Sequence, residues 1–132
     1  MSRLLLDTTF LIDAERSGED LDAVIEDDDD VAIAAVTVAE LRVGVLLADE
    51  RRRGDRERFL ADVLEGIAVV DYDLAIAEAH AELLAQVRMQ GEPRGAHDLL
   101  IAATASQTGR TVVSADASAF SNLSGVTIRP YR

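Results

Sequence analysis

Short apolar runs alternate with longer stretches of helical periodicity over most of the chain. The apolar runs predict short buried strands at residues 3–6, 31–34, 68–70, 111–113 and 126–128. Between these runs, apolar residues recur at every third or fourth position, which is typical of helices that bury one face. We expect those helices at residues 8–16, 21–25, 59–67, 73–91 and 97–107, with a further one from residue 37. The alternation predicts an α/β fold in three layers, with a central parallel sheet of four to five short strands flanked by helices.

The chain shows no repeat, no low-complexity linker and no change of composition along its length. We therefore expect residues 1–132 to form a single domain. Residues 51–54, Arg-Arg-Arg-Gly, interrupt the apolar periodicity and are expected to separate two helices.

Three features of the composition narrow the range of possible functions. The formal net charge is −12, which argues against a protein that holds nucleic acid by a broad basic surface. The 13 positions that carry lysine or arginine are all arginine, so chemistry that depends on a lysine, such as a Schiff base, is excluded. The absence of cysteine excludes disulfides, thiolate catalysis and cysteine-based zinc sites.

The sequence gives no indication of a membrane or secretory segment. No apolar run reaches the length of about 20 residues that a membrane-spanning helix needs. Met-Ser-Arg followed by three leucines is too short an apolar run for a signal peptide. We therefore expect a cytoplasmic protein that does not contact a membrane.

Four acidic residues stand at boundaries between predicted strands and helices. Asp7 follows the first strand, and Asp116 follows the fourth. Glu40 lies one helical turn after the second strand, and Asp98 opens the last helix. In parallel sheets the carboxyl ends of the strands share one edge, and ligands gather there where the strand order reverses. We therefore expect the four carboxylates to converge at that edge.

Each of these acids also has a structural explanation. Asp7 could cap the first helix, and Glu40 with Thr37 forms the pattern of a capping box. Asp98 would be favoured by the helix dipole in a first turn, and Asp116 could form an Asx turn. Taken one at a time, the structural explanation is the stronger one for each residue.

Taken together, the four acids are better explained by a divalent cation. Two carboxylates about 5 Å apart repel by roughly 3 kcal/mol at an effective dielectric constant of about 20. Several such pairs approach the whole stability of a small domain, on the order of 5–15 kcal/mol. A cation removes that cost, and hard oxygen ligands select Mg²⁺, with Mn²⁺ as a plausible substitute. Such an ion polarises a phosphoryl oxygen and activates water, which predicts hydrolysis of phosphodiester bonds.

Four sequence blocks resemble those of PIN-domain ribonucleases, and in particular the VapC-type toxins of bacterial type II toxin–antitoxin systems. The blocks are Leu-Leu-Leu-Asp7-Thr-Thr-Phe-Leu-Ile-Asp, Thr37-Val-Ala-Glu40-Leu-Arg-Val-Gly, Ala96-His-Asp98-Leu-Leu-Ile-Ala-Ala-Thr-Ala and Val-Val-Ser114-Ala-Asp116-Ala-Ser-Ala-Phe120. Their order and spacing resemble that family over essentially the whole chain, which implies a single PIN domain. The third block is the most specific of the four.

The resemblance implies a Mg²⁺-dependent endoribonuclease that cleaves RNA when free and is inhibited by a small cognate antitoxin. The catalytic and metal-binding positions of the family match Asp7, Glu40, Asp98 and Asp116. Ser114 and Thr9 match small polar positions that support the site. We also expect a homodimer, for which the apolar helices leave room, and DNA binding only through the antitoxin.

Two positions depart from the family pattern. His97 stands before the third acid, where the family often has asparagine, and we expect it to be a polar cap or an exposed ring. Ala119 stands before Phe120, where the family usually has an acid. In the fourth block, Asp116 is therefore the one acidic residue left to contribute to the site.

Arginines are the residues available for phosphate contacts. We expect one of Arg42, Arg88 and Arg94, which are close in sequence to the blocks above, to position an RNA phosphate. Residues 51–58 hold five arginines, and this stretch fits RNA contact and a solvated surface equally well.

Two other functions compete with the ribonuclease as explanations of this sequence. An aspartyl-nucleophile phosphatase would use Asp7, but the chain lacks the lysine that such an enzyme needs and has Thr9 in place of a second aspartate. A non-catalytic PIN-like module that binds RNA or a partner would have no reason to keep four mutually repelling acids.

Overall fold

The structure is a computed structural model, and it describes residues 1–18 and 25–130. Strands and helices alternate along it as follows: β1 (Arg3–Leu6), α1 (Thr8–Ser17), β2 (Asp30–Ala34), α2 (Ala35–Leu47), α3 (Glu50–Gly66), β3 (Ala68–Val70), α4 (Leu74–Gln90), α5 (Ala96–Thr108), β4 (Thr111–Ser114) and β5 (Ile128–Pro130). A short 3₁₀ helix covers Ala117–Ala119. Of the helix expected at residues 21–25, residues 21–24 lie outside the described residues.

The strands of the described chain form one parallel sheet in the order β3-β2-β1-β4-β5. The central strand is β1, in which Leu5 is paired with Ala32 of β2 and with Val112 of β4. The chain adds β2 and β3 on one side of β1 and then returns to add β4 and β5 on the other. The predicted α/β fold with a central parallel sheet is confirmed, and the strand order reverses between β1 and β4.

Both faces of the sheet are covered by helices, because successive side chains of a strand point to opposite faces. Leu5 packs in a core that includes Ile101 of α5. Leu4 and Leu6 pack on the opposite face, in a core that includes Leu60 of α3. All three leucines of β1 are fully buried. Burial on both faces explains why β1 is a continuous apolar run in the sequence.

Helix α3 begins at Glu50, so the break expected at residues 51–54 is wrong. Asp49 caps this helix, and its carboxylate accepts a hydrogen bond from the Arg52 amide at 3.0 Å. Residues 51–55 are exposed, so the helix carries charged residues there and shows no apolar periodicity. The helices α2 and α3 are instead separated at residues 48–49.

Two further boundaries differ from the sequence interpretation. Helix α2 begins at Ala35, directly after β2, and not at Thr37, which is fully buried. The last strand begins at Ile128 and not at Val126. The Val126 amide donates a hydrogen bond to the Leu123 carbonyl oxygen at 3.2 Å and so belongs to a turn, and the strand begins two residues later. Val126 is apolar because it packs against the core from this turn.

Helices α4 and α5 follow the sequence interpretation closely. Asp73 caps α4 by accepting a hydrogen bond from the Ile76 amide at 2.8 Å. The helix ends at Gly91, whose φ of 69° lies in the left-handed region that favours glycine. Helix α5 ends in the same way at Gly109. Among residues 1–18 and 25–130, no helix is both long enough and apolar enough to cross a membrane.

Candidate metal centre

The four acids singled out from the sequence lie at the carboxyl edge of the sheet. Asp7 directly follows β1, and Asp116 follows β4 by two residues. Glu40 is in the second turn of α2, and Asp98 is in the first turn of α5. The pKa of Asp98 is raised by burial and by the charges of Asp7, Glu40 and Asp116. All three of the other acids therefore act electrostatically on Asp98, which is consistent with their common position at the carboxyl edge of the sheet.

Asp7 is the most deeply buried of the four, with 2% of its surface exposed. Its Oδ2 accepts hydrogen bonds from the hydroxyl groups of Thr9 and Ser114, each at 2.6 Å. Asp7 occupies the N-cap position of α1, but its side chain makes no capping hydrogen bond. Helix capping therefore does not account for this carboxylate.

Glu40 is held by side chains from outside its own helix. Its Oε1 accepts a hydrogen bond from the Thr8 hydroxyl at 2.9 Å, and that hydroxyl lies 3.1 Å from the hydroxyl of Thr37. Its Oε2 lies 3.4 Å from Nδ1 of His97. The N-cap residue of α2 is Ala34, and no side chain caps this helix. The capping-box explanation of Thr37 and Glu40 is therefore wrong, because both side chains contact Thr8 instead.

The carboxylate of Asp98 packs against Gly95, at the place where any other residue would have its Cβ atom. A Cβ atom added at Gly95 would lie 2.8 Å from Oδ2 of Asp98, so any larger residue there would displace the carboxylate. The place of Asp98 in the first turn of α5 is one that the helix dipole favours. Its raised pKa shows that burial and the neighbouring acids outweigh that favourable contribution.

Asp116 is exposed and lies on a turn that two serines hold. The Asp116 amide donates a hydrogen bond to the Ser114 hydroxyl at 2.9 Å, and the Ser118 hydroxyl donates to Oδ1 of Asp116 at 2.6 Å. Phe120, which ends the turn, is fully buried in the core. A single hydroxyl group, that of Ser114, therefore connects Asp7 to the turn that carries Asp116.

The chemistry of the site fits a hard divalent cation. Its polar atoms are mainly carboxylate and hydroxyl oxygens, the ligands that Mg²⁺ and Mn²⁺ prefer. As the side chains stand, no three acidic or histidine residues in the described chain are close enough together to bind one ion. Hydroxyl groups hold Asp7 and Glu40 in these orientations, so ion binding requires at least one carboxylate to rotate. Burial and the charges of the other three acids raise the pKa of Asp98, and a cation bound among these carboxylates would offset their mutual repulsion.

Arg94 connects the loop before α5 to the turn after β4. Its Nη1 donates to the carbonyl oxygens of Ser118 and Ala119 at 3.4 and 3.0 Å, and its Nη2 donates to that of Ser121 at 2.7 Å. Carbonyl groups at the end of a short helix have no backbone amide of that helix to bond with. The guanidinium group of Arg94 supplies the hydrogen-bond donors that these carbonyl oxygens need. Arg94 thereby ties the segment that carries Asp98 to the turn that carries Asp116.

We expect Arg94→Gln to lower the free energy of unfolding by about 1–2 kcal/mol, because the carbonyl groups of the turn lose a charged donor. Urea denaturation measures the change. Arg94→Lys keeps the charge but not the planar fork that reaches several carbonyl groups, so it should recover only part of the loss. If Arg94→Gln is as stable as the wild type, the bridge does not hold the turn.

The other arginines proposed for phosphate contact are in different situations. Arg42 pairs with Glu57 at 3.0 Å, and Arg88 is exposed in the last turn of α4. Within the basic stretch, Arg53 and Arg56 donate to backbone carbonyl oxygens at the end of α2. Part of this stretch therefore connects α2 to α3, and part of it remains at the surface.

The contacts of three residues at the site were not anticipated from the sequence. The hydroxyl groups of Thr8 and Thr37 meet beside Glu40. The one feature of the sequence that could have indicated this contact is the position of Thr8 directly after Asp7. His97 was expected to be a polar cap or an exposed ring. It is 59% exposed, as expected, but its Nδ1 also contacts Glu40, which lies on a different helix.

Residues 4–126 match the sequence model of the PIN domain. The chain is 38% identical over 92 residues to the VapC ribonuclease Y4jK of Sinorhizobium fredii, a match that covers 67% of this chain and 66% of that relative, just under two thirds. It is 33% identical over 127 residues to Toxin FitB of Neisseria gonorrhoeae, which covers 89% of this chain and 90% of that protein.

The fold of the chain is also similar to that of a solved structure. The fold matches that of VapBC-5 from Mycobacterium tuberculosis, a member of the VapBC family of toxin–antitoxin systems, with a TM-score of 0.81. The two are 30% identical, and the match covers 98% of this chain and 99% of the other. The resemblance carried by the four sequence blocks is thus confirmed and extends to the helices between them. Because the matched region takes in all of the described helices and all four acids, the chain belongs to the PIN-domain family.

Proposed function

We propose that this protein is a Mg²⁺-dependent endoribonuclease, which hydrolyses RNA phosphodiester bonds, and that it is the toxin of a toxin–antitoxin pair. One observation carries the proposal: burial and the charges of Asp7, Glu40 and Asp116 raise the pKa of Asp98, as expected for acids gathered at the carboxyl edge of the sheet. The chain is a PIN domain with relatives named VapC ribonuclease and Toxin FitB. RNA hydrolysis at a carboxylate-held ion explains this combination best.

The residues that would hold Mg²⁺, with Mn²⁺ as a substitute, are Asp7, Glu40, Asp98 and Asp116. When bound, the ion supplies a polarised phosphoryl oxygen and an activated water. Thr9 and Ser114 support the site by fixing the Asp7 carboxylate with two hydroxyl donors. Arg94 fixes the distance between the segments that carry Asp98 and Asp116.

The attacking water must give up a proton, and Glu40 is the residue that we assign to accept it. Its Oε1 accepts the Thr8 hydroxyl and keeps a lone pair with which it would ligate the ion, so we assign the proton to Oε2. That atom lies beside His97, which is exposed to solvent. A carboxylate within hydrogen-bond reach of the water acts as a general base.

The partner that we propose is a small antitoxin. With a formal net charge of −12, the protein suits a basic segment that covers and inhibits the site. The similar VapBC-5 structure is a member of a family of toxin–antitoxin systems. We assign to this protein a cytoplasmic location and a homodimeric state, with DNA bound only through the antitoxin.

An aspartyl-nucleophile phosphatase is a weaker alternative. Asp7 would be the nucleophile, but it is 2% exposed and its Oδ2 already accepts two hydroxyl hydrogen bonds. The chain has no lysine to stabilise a transferred phosphoryl group. A non-catalytic PIN-like module is the remaining alternative. Cleavage of RNA by the purified protein distinguishes the proposed ribonuclease from such a module.

The test is cleavage of RNA by the purified protein. We expect cleavage with millimolar Mg²⁺ or Mn²⁺ and none with EDTA. Expression of the protein should arrest bacterial growth, and coexpression of the small protein encoded beside its gene should relieve the arrest. Intact RNA with both ions, together with normal growth, would overturn the proposal.

Binding of the ion should also be visible without RNA. Millimolar Mg²⁺ or Mn²⁺ should raise the Tm, because a ligand that binds only the folded state stabilises it, by about 2.7 kcal/mol at a hundred times its Kd. Differential scanning fluorimetry measures the shift, with sodium chloride at matched ionic strength as the control. Asp98→Asn should reduce the shift. An unchanged Tm with both ions would argue against a metal centre.

A further inference from the structure

The protein is poorly equipped to hold RNA by its phosphates. Its formal net charge is −12, and of the three arginines proposed for phosphate contact, Arg42 is paired with Glu57, Arg94 is engaged with backbone carbonyl groups and Arg88 is exposed. Phosphate contacts normally supply a large share of the affinity for nucleic acid. An acidic ribonuclease therefore needs a second source of affinity, and stacking of a base on an aromatic ring contributes about 1–3 kcal/mol.

Tyr72 is the exposed side chain among the phenylalanine and tyrosine residues in the part of the chain that the structure describes. It is 49% exposed, whereas Phe10 and Phe120 are buried and Phe59 is packed against the core. The Tyr72 hydroxyl lies 2.9 Å from Nδ1 of His80, and the two rings meet edge to face at 5.8 Å. His80 therefore holds the ring of Tyr72 in one orientation without burying it.

A small apolar cavity lies beside this ring. It has a volume of about 270 Å³, and its walls include Val36 of α2, Val70 of β3 and Leu100 of α5 as well as Tyr72. Thr104 also lines it, but its hydroxyl donates to the Leu100 carbonyl oxygen at 2.8 Å and is already satisfied. Sites for drug-sized molecules occupy about 300–1,000 Å³. This cavity therefore suits one planar ring.

The cavity is near the four acids. Val36 precedes Glu40 by one helical turn and lies on the same side of α2. Ala34 and Val70, which end β2 and β3, also line the cavity and are paired in the sheet. Neighbouring strands are about 4.8 Å apart, so these ends are about 5 and 10 Å from the end of β1, where Asp7 stands. A base in the cavity therefore belongs to a nucleotide within a few positions of the acids.

We propose that this cavity, lined by Val36, Val70, Tyr72 and Leu100 and here called the base pocket, binds one unpaired base of the RNA substrate against the ring of Tyr72. The proposal rests on the ribonuclease function proposed above and adds to it a determinant of substrate binding. The apolar walls recognise the ring of the base and not a charge. Binding through the base pocket should therefore depend only weakly on salt concentration, in contrast to binding through phosphates.

The acidic residues beside Tyr72 limit the path of the RNA. Asp73 is engaged, because its carboxylate accepts the hydrogen bond that caps α4. Asp71 is exposed and repels phosphate. The RNA backbone is therefore expected to run on the side of the base pocket formed by α2 and α5, which is also the side that carries Glu40 and Asp98.

Binding can be measured without cleavage by using the full chain in EDTA. The probes are single-stranded RNA hexamers of adenine, uracil or cytosine with a fluorescent 5′ label, and a hexamer that lacks bases. Tyr72→Leu keeps an apolar side chain but removes the ring, and fluorescence anisotropy should show affinity about 5- to 150-fold lower, which corresponds to about 1–3 kcal/mol. Tyr72→Phe keeps the ring and should change the Kd by no more than about threefold.

Met89→Ala is the matched control, because Met89 is an exposed apolar residue at the other end of α4. It should bind like the wild type. In the cleavage assay with Mg²⁺, Tyr72→Leu should raise KM and leave kcat within about twofold, since the residue contacts the substrate away from the bond that is cleaved.

The outcomes separate this proposal from the ribonuclease function. If Tyr72→Leu binds and cleaves RNA like the wild type, the base pocket is wrong and the ribonuclease function stands. If the wild type neither binds nor cleaves any of the RNAs, both proposals fail. Equal affinity for the hexamer without bases would also overturn the base pocket, because the contact would then be to sugar or phosphate.

Discussion

Asp98→Asn is expected to reduce RNA cleavage by about a thousandfold or more and, in EDTA, to raise the Tm of the protein. The loss of activity follows because a charged ligand of the ion disappears, and such an ion contributes several kcal/mol to the stabilisation of the transition state. The gain in stability follows because burial and three neighbouring acids disfavour the ionised carboxyl group of Asp98. An amide of the same shape carries no charge and avoids that cost.

The same cause determines how this difference depends on pH. In the unfolded chain the carboxyl group titrates near its ordinary pKa of 3.8, and in the folded protein its pKa is higher. Between these two values the folded state holds a proton that the unfolded state has lost, so the wild type loses stability as the pH rises through the interval. The Tm advantage of Asp98→Asn should therefore appear above about pH 4, grow as the pH rises towards the raised pKa, and level off above it.

Asp62→Asn provides the matched control, because Asp62 is exposed on α3 and undergoes the same chemical change. It should leave both cleavage and Tm close to those of the wild type. Asp7→Asn should abolish cleavage as Asp98→Asn does. Cleavage retained in both site variants would exclude these residues from the active site. A lower Tm for Asp98→Asn in EDTA would contradict the electrostatic explanation.

The fold could be predicted where burial leaves a signal in the sequence. The strand β1 is buried on both faces and reads as a continuous apolar run, and α4 has an aspartate cap and a terminal glycine at the expected places. The start of α3 could not be predicted in this way. Its first turns contact little of the core, so nothing in their polarity distinguishes a helix from a loop.

For the site, the sequence could predict only which acidic residues lie near the carboxyl ends of the strands. Asp7 and Asp116 could be placed at the same edge of the sheet, because parallel strands end there, but the pairing of β1 with β4 is known only from the structure. The family resemblance indicated Thr9 and Ser114 as supporting residues, but the hydrogen bonds that join distant parts of the chain could not be predicted from spacing. Ser114 donates to Asp7 across 107 positions, and Arg94 reaches Ser121 across 27. Such contacts depend on the orientation of side chains in the folded protein.

Ser114→Ala is expected to lower the free energy of unfolding by about 2–3 kcal/mol and cleavage by about 10- to 100-fold. The serine is fully buried, and its hydroxyl both donates to Asp7 and accepts from the Asp116 amide. Its removal leaves a buried carboxylate with one hydroxyl donor fewer and an amide without its acceptor, and unsatisfied groups of this kind cost about 1–3 kcal/mol each. Misplacing a reacting group by about 1 Å costs activity of the stated size.

Ser118→Ala is the matched control for this substitution. Its hydroxyl donates to Asp116 over the same distance of 2.6 Å, but it does so at an exposed position where water replaces the donor. The unfolding free energy of Ser118→Ala should change by less than about 0.5 kcal/mol. Urea denaturation and initial rates of RNA cleavage measure the two effects for both variants. If the two variants behave alike, the backbone and not the Ser114 hydroxyl determines how Asp7 and Asp116 are placed relative to each other.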